Sequence, residues 1–167
     1  QLAQAYATLA NGGKRMPPTF IKGGAGKPVQ AMSPKIAHDV MQMLENVTLP
    51  GGTAQKAAIT GYHVAGKTGT ARTASGGGYA KRYVSVFAGV VPMDRPKFAM
   101  VVVINNPRGR DYYGGLVSAP VFHNVMEGAL RLMDVPPDHV EQWYAAQARP
   151  GANSNAALAT LRNEVLS

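Results

Sequence analysis

The chain has 167 residues, 46% of them hydrophobic and 16% charged, enough for one domain that buries roughly two-thirds of its unfolded surface. Its 17 Lys and Arg against 9 Asp and Glu give a formal net charge of +8, a balance that could suit nucleic acid, an anionic membrane surface or an acidic substrate. The basic residues are scattered, however (Lys14, Arg15, Lys22, Lys27, then Lys81, Arg82, then Arg108, Arg110), without a polybasic run or aromatic–basic interleaving, so no nucleic-acid partner is expected.

There is no cysteine, which excludes disulfides, thiolate catalysis and Cys-ligated metals. His38, His63, His123 and His139 lie far apart without metal-ligand spacing, so no metal or other cofactor is expected. The longest apolar run, Phe98 to Ile104, is far short of a membrane span.

In chain order, "QLAQAYATLANGG" opens on a helical pattern, with Leu2, Ala5/Tyr6 and Leu9 on one face and Gly12-Gly13 as the stop. Nothing before Gln1 caps that helix, so an upstream segment is expected. A Pro/Gly-rich connection follows, with short extended pieces around Phe20-Ile21 and Val29–Met32. Ser33-Pro34 reads as an N-cap and first helical position, and Ile36, Val40, Met43/Leu44 and Val47 make an apolar stripe. Pro50-Gly51-Gly52 ends that helix, and one or two helical turns capped by Thr53 are expected in "TAQKAAI".

Three strands are predicted next: Val64–Arg72, Tyr83–Val91, and Lys97–Asn105 as the most buried. The polar "TASGGGYAK" between the first two reads as a flexible connection. Short links imply antiparallel hairpins, because parallel pairs need long crossovers. A loop, "NPRGRDYYGG", leads to an amphipathic helix over Ala119–Asp134 with Val121/Phe122, Val125/Met126, Ala129/Leu130 and Met133 at helical spacing. Residues 138–167 read as a loosely held tail with at most one marginal helix, beyond a domain spanning 1–137. The expected class is therefore α+β, an antiparallel sheet flanked by helices.

"GYHVAGKTGTAR", Gly61 to Arg72, carries the chemistry and fits two patterns. Gly61, Gly66, Lys67 and Thr68 satisfy the phosphate-binding G-x-x-x-x-G-K-[ST]. That loop needs a helix opening at the Lys-Thr, whose amides meet the phosphates. Here the next residues are Gly69, Thr70, Ala71, Arg72 and Thr73, then Ala-Ser and three glycines, a poor helix. The phosphate reading fails on that ground.

Lys67-Thr68-Gly69 also satisfies the K-T-G element of serine acyl-transfer enzymes. That element belongs on an edge strand, where free backbone groups can pair with an extended peptide. Gly69 leaves room for the ligand's approach, Thr68 and Thr70 share strand parity, and Lys67 brings positive charge for a carboxylate and for proton traffic near a nucleophile. From these four residues alone, an edge strand decorated with solvated Lys and Thr explains them as well.

Context extends the match. "LAQAYATLANGG", "GGTAQKAAITGYHVAGKTGTAR", "FAGVVPMDRPKFAMVVVINNP" and "YYGGLVSAPVFHNVMEGALRLM", in this order from Gln1 to Pro137, resemble the transpeptidase domain of class B penicillin-binding proteins, in its division-specific, FtsI-like branch. The resemblance implies the penicillin-binding/serine β-lactamase-like fold and a membrane-anchored enzyme on the periplasmic face of the bacterial inner membrane. Such an enzyme cross-links peptidoglycan stem peptides, is acylated by β-lactams and works beside other cell-division membrane proteins. It implies that Lys67 is the motif lysine, that Thr68 and Thr70 hold the substrate or β-lactam carboxylate, and that the Thr70 amide is an oxyanion-hole donor. Arg72 matches a basic position at the strand's end, and Tyr83, Tyr112 and Tyr113 match aromatic positions bordering the pocket.

The chain also departs from the family. Ser33, Ser75, Ser85, Ser118, Ser154 and Ser167 all lack a lysine three residues on, and no S-x-N occurs. The nucleophile is therefore not in this chain, which reads as the C-terminal part of the domain, inactive alone and needing the upstream half to cover one sheet face and its helices. A serine β-lactamase and a non-catalytic penicillin-binding-like sensor or scaffold are the alternative functions.

Overall fold

The structure, a computed structural model, describes residues 1–75 and 78–147. Helix α1 (Leu2–Ala10) leads into a two-residue ladder of β1 (Lys14–Arg15) and β2 (Val29–Gln30), followed by α2 (Pro34–Glu45) and a single 3-10 turn at Gln55–Ala57. Strands β3 (Ala65–Ser75), β4 (Gly78–Val91) and β5 (Phe98–Asn105) form an antiparallel sheet in that order, and α3 (Gly114–Leu132) and α4 (Val140–Gln147) follow. The α+β class and the two antiparallel hairpins agree with the expectation.

Period-two alternation along the strands divides the core in two. On one face Phe87, Val91 and Val102 meet Ala119, Phe122, Met126 and Leu130 of α3, with the Phe87 and Phe122 rings edge-to-face at 4.9 Å. On the other, Ala65 and Val90 pack with Met41 of α2, flanked by Tyr6 and Leu9 of α1. Helices of this chain therefore stand on both faces, a correction to the bare face expected above.

Several elements differ in detail. The most buried strand is β4, not β5: β4 has a neighbour on each side, whereas β5 pairs on one side only among the described residues and leaves Val103 53% exposed. The expected flexible connection is mostly ladder, with Arg72↔Tyr83, Ala74↔Tyr79 and Ser75↔Gly78 paired across a register shift. Backbone hydrogen bonds extend the hairpin through residues of low strand propensity. Residues 76–77 of that connection lie outside the described residues.

In α2, Ser33 caps the helix by accepting from Ile36 N–H at 3.2 Å. Its buried face is Ala37 and Met41, while Ile36 and Met43 of the expected stripe are exposed. Burial here follows which residues face the sheet, not which are largest. Phe20 and Ile21 are exposed in a turn rather than extended, and β2 pairs instead with Lys14–Arg15. The 3-10 turn is capped at Ala54, not Thr53.

Helix α3 begins at Gly114, ahead of the expected Ala119, because Gly114 and Gly115 form its first turn against the sheet; its buried stripe includes Ser118 and Ala119, while Val121, Val125 and Met133 are exposed. Beyond Pro137 the chain returns to the start of β3. His139 N–H donates to Gly61 O at 3.0 Å, and Asp138 Oδ1 accepts from His63 N–H at 2.8 Å. Residues 148–167 of the expected tail lie outside the described residues. Among the described residues no helix is long and apolar enough to cross a membrane.

Candidate active site

The K-T-G stretch lies on β3, an edge strand paired only with β4 among the described residues. Burial changes abruptly along it: Val64, Ala65 and Gly66 are buried, while Lys67 and Thr70 are exposed. Alternation sends the Thr68 and Thr70 side chains toward the start of α3. Thr70 Oγ1 accepts from Gly114 N–H at 3.1 Å, and Thr68 Cγ2 would lie 3.5 Å from a Cβ built on Gly115.

Lys67 starts from the opposite face and bends over the free edge. Its Nζ donates to Thr68 O at 3.1 Å and to Thr68 Oγ1 at 3.2 Å. One ammonium and two hydroxyls thus converge on one rim, an arrangement suited to a carboxylate. Gly69 sits between the hydroxyls, where an added Cβ would touch only Val86 Cβ at 3.4 Å. Packing within the described residues gives no strong reason for a glycine there.

The aromatic residues form a ladder at the far end of the same rim. Tyr83, directly opposite Arg72 in the register, stacks on Tyr112 at 3.9 Å, and Tyr112 lies 4.4 Å from Tyr113. The Arg72 guanidinium is 5.7 Å from the centre of the Tyr83 ring, within cation–π range. The hydrogen bond from Tyr112 to the Tyr113 hydroxyl, with the charges of its neighbours, pushes the Tyr112 phenol up to about 12, so it is neutral at ordinary pH. The eight residues singled out in sequence, Lys67, Thr68, Gly69, Thr70, Arg72, Tyr83, Tyr112 and Tyr113, therefore occupy one continuous strip. Among the described residues no group of three or more His, Asp or Glu could hold a metal ion.

A family profile described as "Penicillin binding protein transpeptidase domain" matches residues 1–127. The chain belongs to the penicillin-binding protein transpeptidase domain family. The protein of Pseudomonas aeruginosa named "Probable peptidoglycan D,D-transpeptidase PbpC" is 45% identical over 151 residues, 89% of this chain and 27% of that protein. Peptidoglycan D,D-transpeptidase FtsI of Escherichia coli (strain K12) is 46% identical over 140 residues, 83% of this chain and 24% of that protein. The apo structure of the TP domain of Burkholderia pseudomallei penicillin-binding protein 3 superposes with a TM-score of 0.73 at 37% identity, covering 81% of this chain and 42% of that one. The chain spans about a quarter of the length of these curated relatives.

Within this transpeptidase-family strip, three residues escaped the reading of the sequence. Thr53 Oγ1 lies 3.2 Å from Thr68 Oγ1, so a residue expected to cap a helix instead adds a third hydroxyl to the rim. Ser85, fully buried and opposite Thr70, donates its hydroxyl to Tyr112 O. Gly114 brings the start of α3 onto β3 and β4. A serine inside an apolar strand and a glycine pair before a helix were the available signals, but only pairing shows what they meet.

Proposed function

We propose that this chain supplies the K-T-G wall of a serine D,D-transpeptidase active site, with the nucleophilic serine carried by another segment of the protein. The observation that carries the reading is the convergence of Lys67 Nζ, Thr68 Oγ1 and Thr70 Oγ1 beside the unpaired edge of β3. An extended peptide lies along that edge, and its terminal carboxylate is held by the two hydroxyls and the ammonium. The Thr70 amide is one donor to the oxyanion that forms when the serine oxygen attacks the D-Ala-D-Ala carbonyl. Terminal D-Ala leaves as the amine, and the acyl group passes to an amine of a neighbouring stem peptide. Arg72 and the Tyr83–Tyr112–Tyr113 ladder border the part of the pocket beyond the carboxylate.

The same rim receives the carboxylate of a β-lactam, which acylates the serine in place of the peptide. The similarity to FtsI supports a role in septal wall synthesis at the periplasmic face of the inner membrane, beside other division proteins. A fluorescent penicillin tests the reading. The complete protein should be labelled stably, and labelling should fall about 100-fold or more on Lys67→Ala. Rapid release of the label would indicate hydrolysis instead, and no labelling would indicate a scaffold; either result overturns the proposal.

A further inference from the structure

The Thr70 hydroxyl has one hydrogen to donate and two lone pairs that accept. Its partner here is Gly114 N–H at 3.1 Å, a group that can only donate. Thr70 is therefore the acceptor in this contact, and its own hydrogen stays free for the open rim. The donor belongs to the first residue of α3, whose N-cap, Tyr113, gives no side-chain cap. The positive end of a 19-residue helix thus bears on this hydroxyl and makes it a better donor to an anion.

Two features fix that contact. A Cβ on Gly114 would run into Val86 O and come within 2.7 Å of Gly69 O, so any side chain would lift the helix start off β3. The loop just before it is pinned by the buried Ser85 hydroxyl, which donates to Tyr112 O from the position opposite Thr70. We propose that Gly114 is a positioning residue that sets Thr70 as a hydrogen-bond donor to the ligand carboxylate, with Ser85 anchoring the Tyr112–Gly114 turn that delivers it. The consequence is a selectivity: the site prefers a free carboxylate to a neutral ester because a hydroxyl hydrogen polarised by the helix start bonds more strongly to an anion than to a neutral ester oxygen.

The inference rests on the carboxylate-holding role of Thr70, and the test separates the two. Acylation of the complete protein is followed with a penicillin and with its methyl ester, for wild type, Thr70→Val, Gly114→Ala and Ser85→Ala. Thr70→Val should reduce the preference for the free acid about tenfold or more, the effect of losing a hydrogen bond to a charged group. Gly114→Ala should match it, and Ser85→Ala should lower the preference about threefold. An unchanged preference in Thr70→Val would overturn the role of Thr70 itself. Loss in Thr70→Val with full preference in a folded Gly114→Ala would overturn the positioning role alone. If thermal melting shows Gly114→Ala unfolded, Ser85→Ala decides: a reduced preference supports the inference and an unchanged one sinks it.

Discussion

Gly66 and Gly69 stand three positions apart on one strand and do opposite work. A Cβ on Gly66 would lie 2.5 Å from Phe87 Cζ and 2.8 Å from Ala88 O, whereas one on Gly69 would meet only Val86 Cβ at 3.4 Å. The first glycine exists for the core and the second faces open space. Between them the strand passes from a buried half, set between α2 and α3, to an exposed half that carries Lys67, Thr68 and Thr70. A rigid base and a free end are what a binding edge requires, because the ligand must find the hydroxyls already placed.

The division can be broken most severely from the buried side. Phe87→Ala removes a fully buried ring and its edge-to-face partner contact, and should cost about 3–5 kcal/mol in urea unfolding. A loss under about 1 kcal/mol would mean the two halves are not packed as described. From the exposed side, Lys67→Ala should reduce acylation about 100- to 1,000-fold while leaving the unfolding midpoint nearly unchanged. A marked loss of stability with normal acylation would place Lys67 in the core instead.

The two glycines give a sharper and smaller comparison. Gly66→Ala should destabilise by about 1–3 kcal/mol through overpacking against Phe87. Gly69→Ala should stay within about 0.5 kcal/mol and show its effect in acylation. Equal destabilisation by both would remove the distinction between the halves.

The smallest effect lies where the buried half begins. Burial works to lower the pKa of His63, but its hydrogen bond with Glu45 and the charges of Glu45, Asp138 and Asp94 outweigh that and raise it. With the folded value above the ordinary value of about 6.5, this pair stabilises the fold fully below that pH. The contribution is lost as pH rises through the raised value. Thermal melts should therefore show a slight decline across this range, absent in Glu45→Gln; a rise in stability over the same range would contradict the assignment.

Much of this was readable before any coordinates. Runs rich in β-branched and aromatic residues marked β4 and β5, Ser33-Pro34 marked the start of α2, and the K-T-G spacing with its flanking stretches marked the family. These signals are local, since each depends on periodicity or on residues close in the chain. What escaped depends on partners remote in sequence. Thr53 meets Thr68, Ser85 meets Tyr112, and Gly114 meets Thr70 only after the sheet and α3 have docked.

The stripe of α2 failed for a related reason. Hydrophobicity ranks Ile36 and Met43 above Ala37, but burial is decided by which side of the helix rests on β3, and a small residue permits the closest approach. By itself the sequence determined the order of the elements, the antiparallel hairpins and the residues with the chemistry to form a site. Only the tertiary structure decided that the first residues of β3 are buried, and that Gly114 N–H ends at the Thr70 hydroxyl. Backbone and hydroxyl hydrogen bonds leave no mark in composition or periodicity, because their partners are chosen by packing.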